Sequence, residues 1–239
     1  MNRQIPWLRV FVEGVVIVGS ILLAFGLQAW WEGTQERVQE LNLLVRLDAE
    51  LDAAAAHLRE YREYQWEVVA VSEVLLANTG VAASPGISPD SIGSLIWNLT
   101  LKWTADPPAG VLRSLISTGQ TSLIESEDLR EELVNWEALL SDLQAGELAA
   151  DQVIDGRVIP FLETQIAWRS LIPATEGGGK MTPTSFPLGT EALMRNREFE
   201  NIVANRRTWV RHIVSEYDAV LADLERVRSL VGQELQAKS

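Results

Sequence analysis

Apolar residues run almost without interruption near the N-terminus, from Val10 to Trp31 (VFVEGVVIVGSILLAFGLQAWW). Glu13 and Gln28 are the strongly polar residues of this stretch, and each lies toward one end, within reach of headgroups. About 20 such residues cross a bilayer as a helix. Trp7 precedes the stretch, and Trp30 and Trp31 close it. At the helical rise, Trp7 and Trp30 stand roughly 34 Å apart, so the three rings are placed to form both aromatic belts. This reading predicts a retained transmembrane helix over 10–31. A buried core helix is one alternative. A signal peptide cleaved near Ala24-Phe25-Gly26 is the other, but the apolar run continues past Gly26.

Beyond Glu32 the pattern changes to three-and-four spacing. Leu44, Leu47, Leu51, Ala54, Leu58, Tyr61, Val68 and Leu75 form one seam of a helix continuous with the span, stopped at Gly80. Ser88-Pro89 reads as an N-cap and first turn, with a helix through Leu95 and Trp97 ending near Lys102. Ala105-Asp106-Pro107-Pro108 breaks the chain before a short helix, Ala109 to Thr118, ended by Gly119. Ser126 caps a long helix with the seam Leu129, Leu133, Trp136, Leu140, Leu143, Ala150, Ile154, Val158 and Phe161, kinked or frayed near Gly156 and Pro160. Residues 169–190, with Pro173, Gly177 to Gly179, Pro183 and Pro187, read as a long loop. Thr190 is the expected cap of a last helix over 191–236, with Phe199, Ile202, Trp209, Ile213, Tyr217, Val220, Leu224, Val227 and Val231 on its seam.

No strand pattern competes with these helices. The expected fold is therefore all-α: an N-terminal transmembrane helix continuous with the first helix of an antiparallel up-down-up-down bundle. The expected divisions are a cytoplasmic tail over 1–9, the span over 10–31, and an extracytoplasmic bundle over 32–239. Arg3 and Arg9 before the span, against Arg37 and Arg46 after it, place the N-terminus in the cytoplasm by the positive-inside rule. An inner-membrane, single-pass protein with a periplasmic bulk follows. The chain has no cysteine, which fits export and removes disulfides and thiolate metal sites. Its net charge of −13 repels phosphate backbones, so nucleic acid is not an expected partner.

The run Ile17 to Ala24, continuing into Gln28 and Trp31-Glu32, resembles the start of an uncharacterised bacterial family, a domain of unknown function. Asp106-Pro107 leading to Leu115-Ile116-Ser117-Thr118-Gly119 and Leu123-Ile124 is similar to a second stretch of it. Arg197-Glu198-Phe199 with Asn201-Ile202 is similar to a third. The resemblance implies a single-pass membrane protein with an N-terminal anchor and a helical domain. It carries over no active site. Ala29 and Trp30 stand where that family often has Asn.

Candidate chemistry is sparse. The two histidines, His57 and His212, lie on separate helices with Glu60 and Glu216 a turn away. The repeated Glu-x-x-His of di-metal bundles is absent, because Ala54 precedes His57 and Trp209 precedes His212. Gly177 to Gly179 before Lys180 lack P-loop spacing, and no nucleophile signature occurs. No catalytic residue, metal or cofactor is expected. Among the nine tryptophans, Trp66, Trp97, Trp136 and Trp209 fall on or near seams and read as core. Trp103 and Trp168 stand at helix ends, as exposed partner contacts or half-buried caps. In the span, Gly19, Ser20 and Ala24 permit close approach of another helix. The leading functional reading is a structural or accessory subunit whose partners are lipid and other membrane proteins or a second copy. The alternative is an extracytoplasmic ligand-sensing bundle that signals through a partner, since only GQELQAKS follows Val231.

Overall fold

A computed structural model describes residues 7–81, 86–173 and 181–238. Helix α1, Trp7–Ala77, is a single element of 71 residues, about 105 Å long at the helical rise. Arg3, and the loop residues Gly177 to Gly179, lie outside the described residues; Trp7 and Arg9 fall within α1, but their side chains lie outside the description. The described side chains of α1 are exposed as far as Gln39, and burial begins at Glu40. From there Leu44, Leu47, Leu51, Ala54, Leu58, Val68 and Leu75 are buried at the expected spacing, with Tyr61 half-buried. The helix stops where Gly80 takes φ +141° and donates its N–H to Met194 O at 3.0 Å.

Helix α2, Pro89–Leu99, starts on Ser88, whose hydroxyl accepts from Ser91 N. It ends three residues before the expected Lys102. An irregular connector, 100–109, follows. Helix α3, Gly110–Thr118, ends at Gly119 with φ +70°. Its cap residue Ala109 has no polar side chain, and α1 supplies the missing acceptor. Glu50 takes the N–H of Val111 at 2.7 Å and of Leu112 at 3.0 Å. Glu50→Ala is therefore expected to cost about 1–2 kcal/mol, with Glu50→Gln recovering part of it. Denaturant melts of the two variants check this, and native-like stability in Glu50→Ala would show that the cap contributes nothing.

Helix α4, Glu127–Val153, is capped by Ser126, as its sequence implied. It passes through a widened π-type turn, Ile154–Val158, into α5, Ile159–Gln165. Pro160 has no N–H to close an ordinary turn, so the helix widens there instead of stopping. The expected cap Thr190 proves to be the first residue of a short helix, α6, Thr190–Met194, entered through Gly189 at φ +81°. The last helix, α7, Arg197–Lys238, is capped instead by Asn196, whose Oδ1 accepts from Glu198 N at 2.8 Å and from Phe199 N.

Cross-helix pairs fix the topology. Asp52–Arg228, Arg62–Asp218 and Glu73–Arg207 run α7 antiparallel to α1. Glu132–Arg226 and Asn135–Asp223 run α4 antiparallel to α7. The segment α2–α3 descends between them, from Leu75's end of the bundle to Glu40, whose Oε1 accepts the N–H of Glu125 at 2.7 Å. The fold is all-α, with no strand among the described residues, in up-down-up-down order. One core cluster fills the lower bundle around Leu51, Leu112, Trp136 and Leu224. A second fills the far end around Leu75, Ile96, Leu162 and Phe199. Between them only Val68, Val69 and Val210 cluster, with Trp103 against them. At the base, Lys238 sits 2.8 Å from Glu40 and 3.0 Å from Glu125, which pins the end of α7 to the start of the buried part of α1.

Candidate functional site

Two regions depart from an ordinary bundle: the uncovered N-terminal third of α1, and a buried polar layer between the two cores.

Among the described residues, α1 is the one helix long and apolar enough to cross a membrane, and its apolar window is wholly unburied within the fold. Phe11, Ile17, Leu22, Leu23, Phe25 and Leu27 all stand exposed, as do Trp30 and Trp31. Side chains of this size seek a second apolar phase. The polar groups here are met within the helix. Ser20 Oγ donates to Val16 O at 2.8 Å, and Gln28 Nε2 donates to Glu32 Oε1 at 2.9 Å. Gly19 has open space where a Cβ would stand, as do Gly26 and Gly33. These three glycines continue downward, in steps of seven, the stripe that Glu40, Leu47 and Ala54 bury in the bundle. A straight helix drifts about 20° per heptad, which keeps them within one packing face. Gly33 lies with Glu36, Arg37 and Glu40 in a shallow groove under Ser122 and Leu123.

The tryptophans sort by face. Trp136 is fully buried, and Trp97 is half-buried beside Trp168, their rings 6.1 Å apart. Trp168 packs on the far core, and Trp103 stacks on Tyr64 at 4.4 Å while touching the small middle cluster. Both are half-buried caps, which leaves only their outer edges for a partner. Trp66 and Trp209 are at the surface, contrary to the core reading. The buried positions at that height are Gln65 and Val69 on α1, and Arg206 and Val210 on α7. Each ring is thus one residue, about 100°, off its seam.

The polar layer surrounds the connector 100–109. This stretch is irregular and partly buried, so its backbone groups have no helix or sheet to satisfy them. Side chains from three helices do so instead. Arg206 Nη2 of α7 donates to Leu101 O at 3.1 Å. Gln65 Nε2 of α1 donates to Trp103 O at 2.9 Å. Gln144 Nε2 of α4 donates to Ala105 O at 3.3 Å. Glu147 of α4 accepts the N–H of Ala105, at 3.1 Å to Oε2, and the hydroxyl of Tyr217 from α7. Glu147 is 1% exposed, Gln65 2% and Arg206 3%.

Burial pushes the Glu147 carboxyl up to about 7, against the opposing pull of its Tyr217 and Ala105 donors and with the charges of Asp151 and Glu216 adding to the rise. Burial also raises Asp151 and Glu216, and brings the Arg206 guanidinium down to about 10, still charged at neutral pH. Glu216 lies directly on Gly146, where a Cβ would come within 2.6 Å of its Oε2. In sequence, each seam carries one sign of this layer: a seven-residue gap with a polar residue at its middle.

The histidines do not converge. His57 stacks on Tyr61 at 4.5 Å, while His212 pairs with Glu216 at 3.2 Å, in the i,i+4 relation its sequence implied. The α1–α7 register sets them about three turns apart along the bundle. Among the described residues no cluster of three or more His, Cys, Asp or Glu is placed to hold a metal.

Comparisons with family models, with curated proteins and with solved structures return no match. The resemblance to the uncharacterised family therefore rests on the three quoted stretches alone.

Proposed function

We propose that the chain is a membrane-anchored helical bundle acting as a structural or accessory subunit, through protein–protein contacts in or at the membrane. The observation that carries this is the continuity of α1. One helix forms both the exposed apolar segment and the central packing seam of the bundle, with no break between them. A helix that packs against the segment over 10–31 thereby also sets the position of the bundle. The glycine face at Gly19, Gly26 and Gly33, and the small pair Ser20 and Ala24 on another side of the helix, each support close approach by such a helix. Arg3 and Arg9 support an inner-membrane placement with the N-terminus in the cytoplasm and the bundle outside it.

Co-purification from mild detergent tests the partner reading. Replacing Ser20 and Ala24 with Leu keeps the segment apolar but fills its small positions. The expected result is a folded, membrane-bound protein that has lost partners or changed oligomeric state. Unchanged partners and unchanged assembly, both in this variant and with Gly19 and Gly26 replaced by Leu, would move the contact surface to the sides of the bundle. A C-terminal reporter active only in the cytoplasm would reverse the orientation.

A second reading, a sensing bundle signalling through a partner, is favoured by the buried, titratable layer at Glu147.

A further inference from the structure

Among the described residues, the connector 100–109 is the one covering segment of the middle bundle without secondary structure of its own. Its place is held by four side chains, from α1, α4 and α7, that bond its backbone. Glu147 differs from the other three because it is an acid. Arg206 reaches Leu101 O, and Lys102 is taken up by Asp155 at 2.9 Å, so neither cation neutralises Glu147.

The groups around Glu147 are known from every side. From α7 come Tyr217, donating to it, and Glu216, packed on Gly146. From α4 come Asp151 and Gln144. From α1 come Tyr61, close to Tyr217, and Gln65. From the connector come the Ala105 N–H and Thr104, whose hydroxyl lies 3.4 Å from Asp151. The acidic neighbours oppose a charge on Glu147, and only two donors support it.

We propose that Glu147 and the connector form a proton-operated clasp, in which 100–109 closes over a neutral Glu147 carboxyl and opens when that carboxyl ionises and draws in water. The ionised group gains water only if something covering it moves. Helices α4 and α7 are held by long apolar seams above and below this layer, whereas the connector adds to its polar bonds the small buried side chains of Ala105, Pro107 and Ala109 and the half-buried ring of Trp103. The connector is therefore the part that opens.

The direction follows from linkage. The closed form binds the proton more tightly than an exposed carboxyl does, so closure is favoured at acid pH and weakens as pH rises through 7. With an ordinary value of 4.5 in the open form and about 7 in the closed form, opening becomes about 30-fold more frequent between pH 5.5 and pH 8.

Hydrogen exchange of the full chain in detergent micelles, corrected for intrinsic rates, reads this directly. The amides of 101–106 and 109, Ala105 above all, are expected to lose about 30-fold protection from pH 5.5 to pH 8, with little change at Leu51 or Leu224. Glu147→Gln is expected to flatten that dependence, and Glu216→Gln to keep most of it, since burial is the larger cause. Protection of the connector that is independent of pH, or unchanged dependence in Glu147→Gln, overturns the proposal. If Glu147→Gln fails to fold, the carboxyl band of the native chain decides. A Glu147 titration midpoint near 7 supports the clasp, and one between 4 and 5 overturns it.

Discussion

Leu51→Asp and Leu133→Asp are each expected to abolish cooperative unfolding of the bundle at neutral pH, while Val45→Asp and Val134→Asp leave it within about 0.5 kcal/mol of native. Leu133 and Val134 are adjacent in sequence and alike in chemistry, yet Leu133 is fully buried and Val134 is 50% exposed. Val45 on α1 is 54% exposed, whereas Leu51 is fully buried in the lower core with Leu112, Trp136 and Leu224. Removing a buried leucine forfeits roughly 2–3 kcal/mol of burial. Placing a carboxyl there without a partner adds several more, whether it stays charged or takes up a proton. The sum, about 5 kcal/mol or above, is comparable to the whole stability of a typical domain. Because a protonated Asp costs less than an ionised one, both buried variants should regain some structure on acidification. Far-UV melts at pH 5 and pH 7.5 check all four. Equal stability of Leu133→Asp and Val134→Asp would put the seam of α4 on the wrong face.

The seams were the legible part of this sequence, because burial repeats at helical spacing and leucine is unambiguous. Leu44 through Leu58 and Leu129 through Leu143 are buried at the positions their periodicity predicts. The polar layer was legible only as interruptions. The α1 seam skips from Tyr61 to Val68 across Gln65, the α4 seam from Leu143 to Ala150 across Glu147, and the α7 seam from Ile202 to Trp209 across Arg206. All three middle residues are buried. A polar side chain at one seam position is commonplace. Three on different helices acquire meaning only when the fold sets them at one height around the connector.

Local chemistry misled in two places for the same reason. Residue type points to Trp209 for the seam and Thr190 for the cap, whereas Val210 takes the buried position and Asn196 takes the cap. Near 209 the buried seam runs Ile202, Arg206, Val210 and Ile213, so its spacing passes through a polar residue, and the short α6 hides the start of α7. The N-terminal segment was legible in full as a pattern.

Leu22→Arg combined with Leu23→Arg is expected to move the full-length chain from the membrane fraction to the soluble or aggregated fraction on alkaline carbonate extraction, which leaves the native chain in the pellet. Both residues lie in the exposed apolar window of α1, near its centre between Trp7 and Trp31. An arginine at the middle of a span costs about 2.5–3.5 kcal/mol for insertion, and the lost leucines add a few tenths each. Two together oppose insertion by roughly 6 kcal/mol. Snorkelling offers little relief, because adjacent residues point about 100° apart and neither is within reach of a nearby end. The bundle begins at Glu40 and does not bury these positions, so its fold should survive wherever the chain accumulates. Ser20→Leu with Ala24→Leu is the matched control, since it alters the same turns while keeping them apolar. Carbonate extraction of the native chain into the supernatant, or pellet retention of the double-arginine chain with its bundle folded, would mean that the exposed apolar helix is covered by protein and does not span a bilayer.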